Sequence, residues 1–155
     1  MGLLLLVQTV FVFTAPHINM SFAVQFENLK KLDLPVGDFM VVSSGALAVR
    51  GIRESGDLDV VVTESLWKIL SEKYPVVSED GIDRIDLGND IEILSPADSI
   101  FGNGKMIPLK ESFEKADTFD GIKFMNLEHL KKIKEKLGRE KDLRDIQLID
   151  EYLNI

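Results

Sequence analysis

A short apolar segment that carries two aspartates constrains this chain more than any other part of its sequence. Residues 41–51 lead from an apolar run into a turn of small residues, and residues 55–62 follow as Ser-Gly-Asp-Leu-Asp-Val-Val-Val. Strand side chains alternate between two faces, so Asp57 and Asp59 point to one side while Leu58 points to the other. Two neighbouring carboxylates repel each other unless a cation lies between them. The pair therefore predicts a metal site, and the alternative is two solvated acids at the start of a strand.

The turn that precedes the acid pair is a second candidate site. Ser44 and Gly45 follow the apolar run and open a predicted short helix over 45–51. Free amides and the helix dipole favour an anion such as phosphate at such a position. A tight strand-to-helix turn that simply needs glycine is the alternative. Arg50 and Arg53 are close enough in sequence to reach phosphate or to pair with the acids, and Arg53 is favoured because it lies in the loop before the acid-bearing strand.

These motifs, in this order, resemble the signature of the nucleotidyltransferase superfamily, which has the DNA polymerase β-like fold. In that family a Gly-Ser or Gly-Gly turn is followed by an acid–apolar–acid strand, as Ser44-Gly45, Arg53 and Asp57-Leu58-Asp59 are arranged here. Residues 134–146 are similar to the Lys…Arg-x-Lys-Asp-x-x-Asp-Ile segment of small bacterial members, including relatives of the AbiEii-type toxins. The resemblance spans residues 39–153. Ala46 departs from it, because many active members have serine after the glycine.

The resemblance implies a Mg²⁺-dependent transfer of a nucleoside monophosphate from an NTP to a hydroxyl on a protein, an RNA or a small molecule. Two divalent cations would be held by Asp57 and Asp59, since Mg²⁺ prefers oxygen ligands and a metal pair suits in-line displacement. A third carboxylate would complete the site; Glu92 is the first choice and Asp86 the rival, and either is equally well explained as an acid on the wet face of a strand. The family motif also carries over a set of C-terminal positions: Lys134, Arg139, Lys141, Asp142 and Asp145. Of these, Lys134 and Lys141 would meet the phosphates and one aspartate would orient them, whereas a solvated face with i,i+4 ion pairs is the alternative.

Alternating apolar patterns predict an α/β (α+β) fold, with a mixed sheet flanked by helices and a C-terminal helix pair. Strands are predicted at 39–43, 57–63, 82–87, 90–94 and 121–125. Helices are predicted at 21–32, 45–51, 64–74, 127–137 and 139–153, with a short one from Ser95 to about Phe101. Residues 101–110 are predicted as loop, and 111–120 fit no pattern. Thr63 and Asn126 are predicted to cap helices, and Gly138 to end one.

The length and net charge of the chain limit the number of domains and the classes of function that fit it. With 155 residues and a net charge of −8, residues 20–155 form one predicted domain and do not suit a general nucleic-acid binder with a broad basic face. No cysteine is present, so disulfides and thiolate metal sites are excluded and a cytoplasmic location is expected. Residues 1–19 form an apolar leader, too short to span a membrane. It is either a β segment packed on the domain or an over-long gene start before Met20, and the extent of the resemblance favours the second.

A different class of function fits the same sequence. The chain shows no obvious substrate domain, and Ala46 removes a hydroxyl that would contact phosphate. A non-catalytic interaction module with this fold, such as the antitoxin or regulatory half of a two-protein system, is therefore the alternative to the enzyme. Metal-dependent nucleotide binding separates them, because only the enzyme requires it.

Overall fold

The computed structural model describes residues 20–96 and 107–154. In chain order its helices are α1 Met20–Lys31, α2 Ser44–Ala48, α3 Glu64–Lys73, α4 Leu109–Glu114, α5 Leu127–Leu137 and α6 Glu140–Leu153. Its strands are β1 Phe39–Val42, β2 Leu58–Val62, β3 Val77–Glu79, β4 Ile82–Asp86, β5 Ile91–Leu94, β6 Asp117–Phe119 and β7 Ile122–Phe124. The predicted fold class is confirmed: a mixed sheet is flanked by helices and followed by a helix pair.

One seven-stranded sheet organises the molecule, in the order β3-β4-β5-β2-β1-β7-β6. Two of its pairs are parallel, β2 with β5 and β1 with β7, and the others are antiparallel. The acid-bearing strand β2 therefore lies inside the sheet, between β1 and β5. Asp59 stands opposite Val42 of β1 on one side and opposite Glu92 of β5 on the other.

The two faces of the sheet bury different apolar clusters. Val41, Val60 and Ile93 pack on one face with side chains of α1 and α3. Residues one position along, such as Val42, Val61 and Leu94, pack on the opposite face with side chains of α2, α4, α5 and α6. Because Asp59 and Glu92 are two residues from Val61 and Leu94, they lie on this second face, toward the C-terminal helices.

Local signals at the helix ends behave as predicted. The Thr63 hydroxyl accepts a hydrogen bond from the backbone N–H of Leu66, and the Asn126 side chain accepts one from His129. Gly138 ends α5 with a left-handed φ of 62°, a conformation that favours glycine and turns the chain into α6.

Two short strands and one helix were not predicted. Strands β3 and β6 are three residues long, and α4 begins in the predicted loop and extends into the ambiguous stretch 111–120. The predicted helix from Ser95 to Phe101 lies mostly outside the described residues, and the leader 1–19 lies wholly outside them. Within the described ranges, every helix is too short or too polar to cross a membrane.

Candidate functional site

The predicted acids meet on one face of the sheet. Asp59 and Glu92 are register partners across the parallel β2–β5 pair, so their side chains lie side by side on the same face of the sheet. Asp57 precedes Asp59 by two residues, lies immediately before β2 and is exposed, whereas Asp59 and Glu92 are partly buried. We refer to Asp57, Asp59 and Glu92 as the acid trio. Strand pairing thus brings together two carboxylates that are far apart in sequence.

The surroundings of Asp59 disfavour its charged form. Burial, followed by the negative charges of Asp57 and Glu92, raises the pKa of the Asp59 carboxyl to about 6, and only Arg84 acts in the opposite direction. Like charges at short range and partial desolvation are the usual causes of such a shift. A carboxylate whose ionised form is disfavoured by burial and by neighbouring negative charges is a candidate for metal binding, because a bound cation would stabilise that ionised form.

Asp86, the rival third acid, lies on the same face but is one strand further away. It stands opposite Glu92 in the antiparallel β4–β5 pair, and its carboxylate accepts a hydrogen bond of 2.8 Å from the backbone N–H of Gly88. Asp57, Asp86 and Glu92 line an open depression of about 320 Å³. Since Glu92 is the direct neighbour of Asp59 while Asp86 stabilises the turn, the geometry favours Glu92.

Arg84 is a site residue that was not predicted. Its Nη1 donates a hydrogen bond of 3.2 Å to Glu92 Oε2, and it faces the acid trio from β4. The sequence does indicate that Arg84 lies on the same strand face as Asp86, because the two residues are two positions apart. Its pairing with Glu92 could be recognised only from the register of β4 against β5. In the described part of the chain, no lysine or arginine forms an ion pair with Asp57 or Asp59.

A cleft of about 470 Å³ separates the acid-bearing face from the C-terminal helix pair. The acidic side includes Asp59 of β2. Charged side chains of the opposite side are Lys134, Arg139 and Lys141, three of the residues predicted to bind nucleotide. Apolar side chains of α5, among them Leu130 and Ile133, line the cleft between them. The structure therefore places the predicted cations across a cleft from Asp59.

Most of those cations are engaged by two buried aspartates. The Asp145 carboxylate accepts hydrogen bonds from Arg53 Nε at 2.6 Å and Arg53 Nη2 at 2.9 Å, and it lies 2.7 Å from Lys134 Nζ. The Asp142 carboxylate lies 3.6 Å from Lys134 Nζ and accepts a hydrogen bond of 2.7 Å from Arg139 Nε. We call these five residues the charge network. It ties the loop after α2 to the helix pair, and Arg53 pairs with it rather than with the strand acids.

The network stabilises its own charged forms. Burial alone would raise the pKa of the Asp145 carboxyl, but hydrogen bonds from Arg53 and Lys134 outweigh it and lower that pKa. The pKa of Asp142 is lowered in the same way, with burial opposed by hydrogen bonds from Arg139. Buried ion pairs of this kind are costly to break, because the remaining partner is left without compensation. Of the three cations, Lys134 is buried between both aspartates, whereas Arg53 and Arg139 keep partial contact with solvent.

Lys141 differs from the other predicted cations. It is exposed at the start of α6, lines the cleft, and forms no ion pair with the residues that the structure describes. Its three N–H donors are therefore available to an anion without breaking an existing pair. Of the cations predicted from the C-terminal motif, Lys141 has the geometry best suited to a direct phosphate contact.

The Ser44-Gly45 turn serves packing. A Cβ on Gly45 would lie 2.6 Å from Val41 Cγ1 and 2.9 Å from Leu58 Cδ2, so the glycine lets α2 approach the sheet closely. The Ser44 and Ser55 hydroxyls are hydrogen-bonded at 2.8 Å, which joins the turn to the loop before Asp57. Neither residue lines the cleft, although Ser43 does, with a φ of 57° that is uncommon for a non-glycine residue.

The donor chemistry of the acid trio suits a hard divalent cation. All three side chains offer carboxylate oxygens, the ligands that Mg²⁺ prefers. In the described ranges, however, no group of three or more His, Cys, Asp or Glu side chains is already gathered closely enough to hold a metal ion. Comparison with protein-family models, curated proteins and solved structures finds no match for this chain.

Proposed function

We propose that this protein is a Mg²⁺-dependent nucleotidyltransferase, which transfers a nucleoside monophosphate from an NTP to a hydroxyl acceptor. The observation that carries the proposal is the cleft itself: Asp59 of the central strand β2 faces a set of cations on the C-terminal helices. An NTP with bound metal has both kinds of partner, because its phosphates attract cations and its metal attracts carboxylates. The resemblance to the nucleotidyltransferase superfamily supports the same chemistry.

In the proposed reaction, the acceptor oxygen attacks the α-phosphorus of the NTP. A bond forms between that oxygen and phosphorus, the bond from phosphorus to the bridging oxygen breaks, and pyrophosphate leaves with the electron pair. Glu92 accepts the hydroxyl proton, since it is the trio member beside Asp59 on the neighbouring strand. Lys141 contacts the phosphates, while Lys134 and Arg139 contribute positive charge.

Asp57 and Asp59 would hold Mg²⁺, which supplies Lewis-acid polarisation of the phosphoryl oxygens and activation of the attacking hydroxyl. The raised pKa of Asp59 supports this assignment, because cation binding favours the ionised form that the apo site disfavours. Since the donor is an NTP, the proposal also places the reaction in the cytoplasm. The acceptor is a hydroxyl on a protein, an RNA or a small molecule.

One observation favours a second function, that of a non-catalytic interaction module. Arg53, Lys134 and Arg139 are already paired with Asp142 or Asp145, which is a sufficient structural reason for their presence. On that interpretation the charge network stabilises a surface for a partner protein, and the cleft binds no nucleotide. The two proposals differ in one measurable property, metal-dependent nucleotide binding.

The deciding experiment is a binding screen of the four NTPs with and without Mg²⁺, by calorimetry and thermal shift. The enzyme predicts that at least one NTP binds only with Mg²⁺ and that Asp59→Asn abolishes this binding. Asp33→Asn is the matched control, because Asp33 is exposed, lies away from the cleft, and has a φ of 50° that asparagine also tolerates. Absence of binding by the wild type with all four NTPs would refute the enzyme and favour the interaction module.

A further inference from the structure

Arg84 occupies an unusual position between the acid trio and the cleft. It projects from β4 on the same face as Glu92, and its side chain is about a quarter exposed. One guanidinium N–H bonds to Glu92 Oε2 at 3.2 Å, while Arg84 Nε is buried and has no hydrogen-bond partner among the residues that the structure describes. An arginine carries five N–H donors, so this single long bond leaves most of its capacity unused.

The unpartnered Nε indicates that the observed arrangement does not complete the environment of Arg84. A buried donor without an acceptor is costly, and native structures seldom leave one unexplained. Arg84 lines the cleft together with Lys134 and Lys141. Once released from Glu92, the Arg84 side chain can turn toward the cleft, where a phosphate oxygen would supply the missing acceptor, and the planar guanidinium suits bidentate phosphate recognition.

The charge balance of the trio gives Arg84 a second role. Three neighbouring carboxylates repel one another, and Arg84 is the cation that counteracts this for Asp59 and pairs with Glu92. A divalent cation on the trio would remove the need for that compensation and would also compete for the oxygens of Glu92. The pair with Glu92 is partly exposed, so it is weak enough to be exchanged.

We propose that Arg84 is an exchangeable counter-ion: it neutralises Glu92 in the metal-free protein and binds the triphosphate of the NTP when a metal ion occupies the acid trio. This inference rests on the proposed nucleotidyltransferase function and adds to it a residue with two successive partners. It makes Arg84 a competitor of the metal ion in the metal-free protein and a direct ligand of the substrate once the metal is bound.

The two roles predict opposite effects of one substitution. In Arg84→Gln, loss of the competing cation should tighten binding of Mn²⁺ alone about threefold to tenfold, as measured by electron paramagnetic resonance. With Mg²⁺ present, binding of the α,β-methylene analogues of the four NTPs should weaken about tenfold or more by calorimetry, because a hydrogen bond to a charged group is lost. Arg84→Lys keeps the charge without the planar fork, so it should restore Mn²⁺ affinity to the wild-type value and nucleotide affinity only in part.

Arg144→Gln is the matched control, since it removes the same charge from an exposed position whose only ion pair within residues 20–96 and 107–154 is with Glu140 on the same helix. It should change neither affinity by more than about twofold, which excludes an effect of overall charge. Arg84→Gln that weakens Mn²⁺ binding, or that leaves nucleotide binding unchanged, would overturn the inference while the enzyme proposal stands. A wild type that binds neither Mn²⁺ nor any nucleotide analogue would overturn both.

Discussion

Replacing Asp59 by Asn should make the metal-free protein more stable at neutral pH, and the gain should disappear in acid. Burial and the nearby carboxylates of Asp57 and Glu92 raise the pKa of Asp59 from 3.8 to about 6. The folded protein therefore holds this proton more tightly than the unfolded chain does. Ionisation of Asp59 at pH 8 consequently lowers the free energy of unfolding, and asparagine, which does not ionise, avoids that loss.

The magnitude follows from the pKa. A factor of ten in an ionisation equilibrium corresponds to about 1.4 kcal/mol, so a pKa of about 6 in place of 3.8 limits the gain at pH 8 to about 3 kcal/mol. Asp59 keeps partial contact with solvent, which screens the repulsion, and we expect a gain of about 1–2 kcal/mol. The penalty on the wild type is complete above about pH 7 and fades as the pH falls from about 6 to about 4, where Asp59 is protonated in the folded state.

Urea denaturation in EDTA at pH 8 and pH 4 measures both limits. Asp59→Asn should exceed the wild type in free energy of unfolding at pH 8 and equal it at pH 4, whereas the exposed control Asp33→Asn should stay within about 0.5 kcal/mol of the wild type at both. A loss of stability in Asp59→Asn at pH 8 would refute the reasoning. It would mean that the Asp59 carboxylate stabilises the metal-free fold, whereas the metal-site hypothesis requires it to destabilise that fold.

Three further predictions concern other parts of the fold. Asp145→Asn should cost about 3 kcal/mol in urea denaturation at pH 7, because Lys134 loses a buried partner, and a cost under about 1 kcal/mol would contradict a buried pair. Since the pKa of Asp145 is lowered in the folded protein, the difference should begin to shrink only below about pH 4 and should be lost as the pH falls through that lowered pKa. Gly45→Ala should cost about 1–3 kcal/mol because the new Cβ overlaps the sheet, whereas Gly56→Ala, where nothing lies within 4 Å, should be nearly neutral, and equal effects would rule out the packing argument. Lys141→Gln should leave the melting temperature unchanged and weaken Mg²⁺-dependent NTP binding about tenfold in calorimetry, and unaltered binding would remove Lys141 from the phosphate site.

The parts of the fold that were predicted carry their signal locally. Strand β2 is a run of valines after an acid pair, α5 has an asparagine cap and a terminal glycine, and the β4–β5 hairpin has a Gly-Asn turn. Strands β3 and β6 have no such signal. Each is three residues long, and of their six residues all but the partly buried Phe119 are exposed, so no alternation of apolar and polar residues marks them. Only their pairing with a neighbouring strand defines them.

In the candidate site, too, features with a local sequence signal were predicted and features that depend on tertiary pairing were not. Period-two alternation placed Asp57 and Asp59 on one face, and Glu92 between two isoleucines was recognisable as a strand acid. The partners of the cations could not be predicted, because the bond from Arg53 to Asp145 joins residues separated by 92 positions. Arg84 was missed for a similar reason, since its contact with Glu92 depends on the register of β4 against β5. Tertiary ion pairs require a fold before they can be assigned.

The two sides of the cleft belong to parts of the molecule that differ in their stability against local unfolding. Strands β2 and β5 are hydrogen-bonded on both edges in the interior of the sheet, so their amides should be among the slowest to exchange with deuterium. The opposing helices are joined through a single left-handed glycine and are fastened to the loop after α2 by side-chain ion pairs. Acid that protonates Asp142 and Asp145 should therefore weaken the cationic side before the central strands, whereas salt should have little effect on pairs that are this deeply buried.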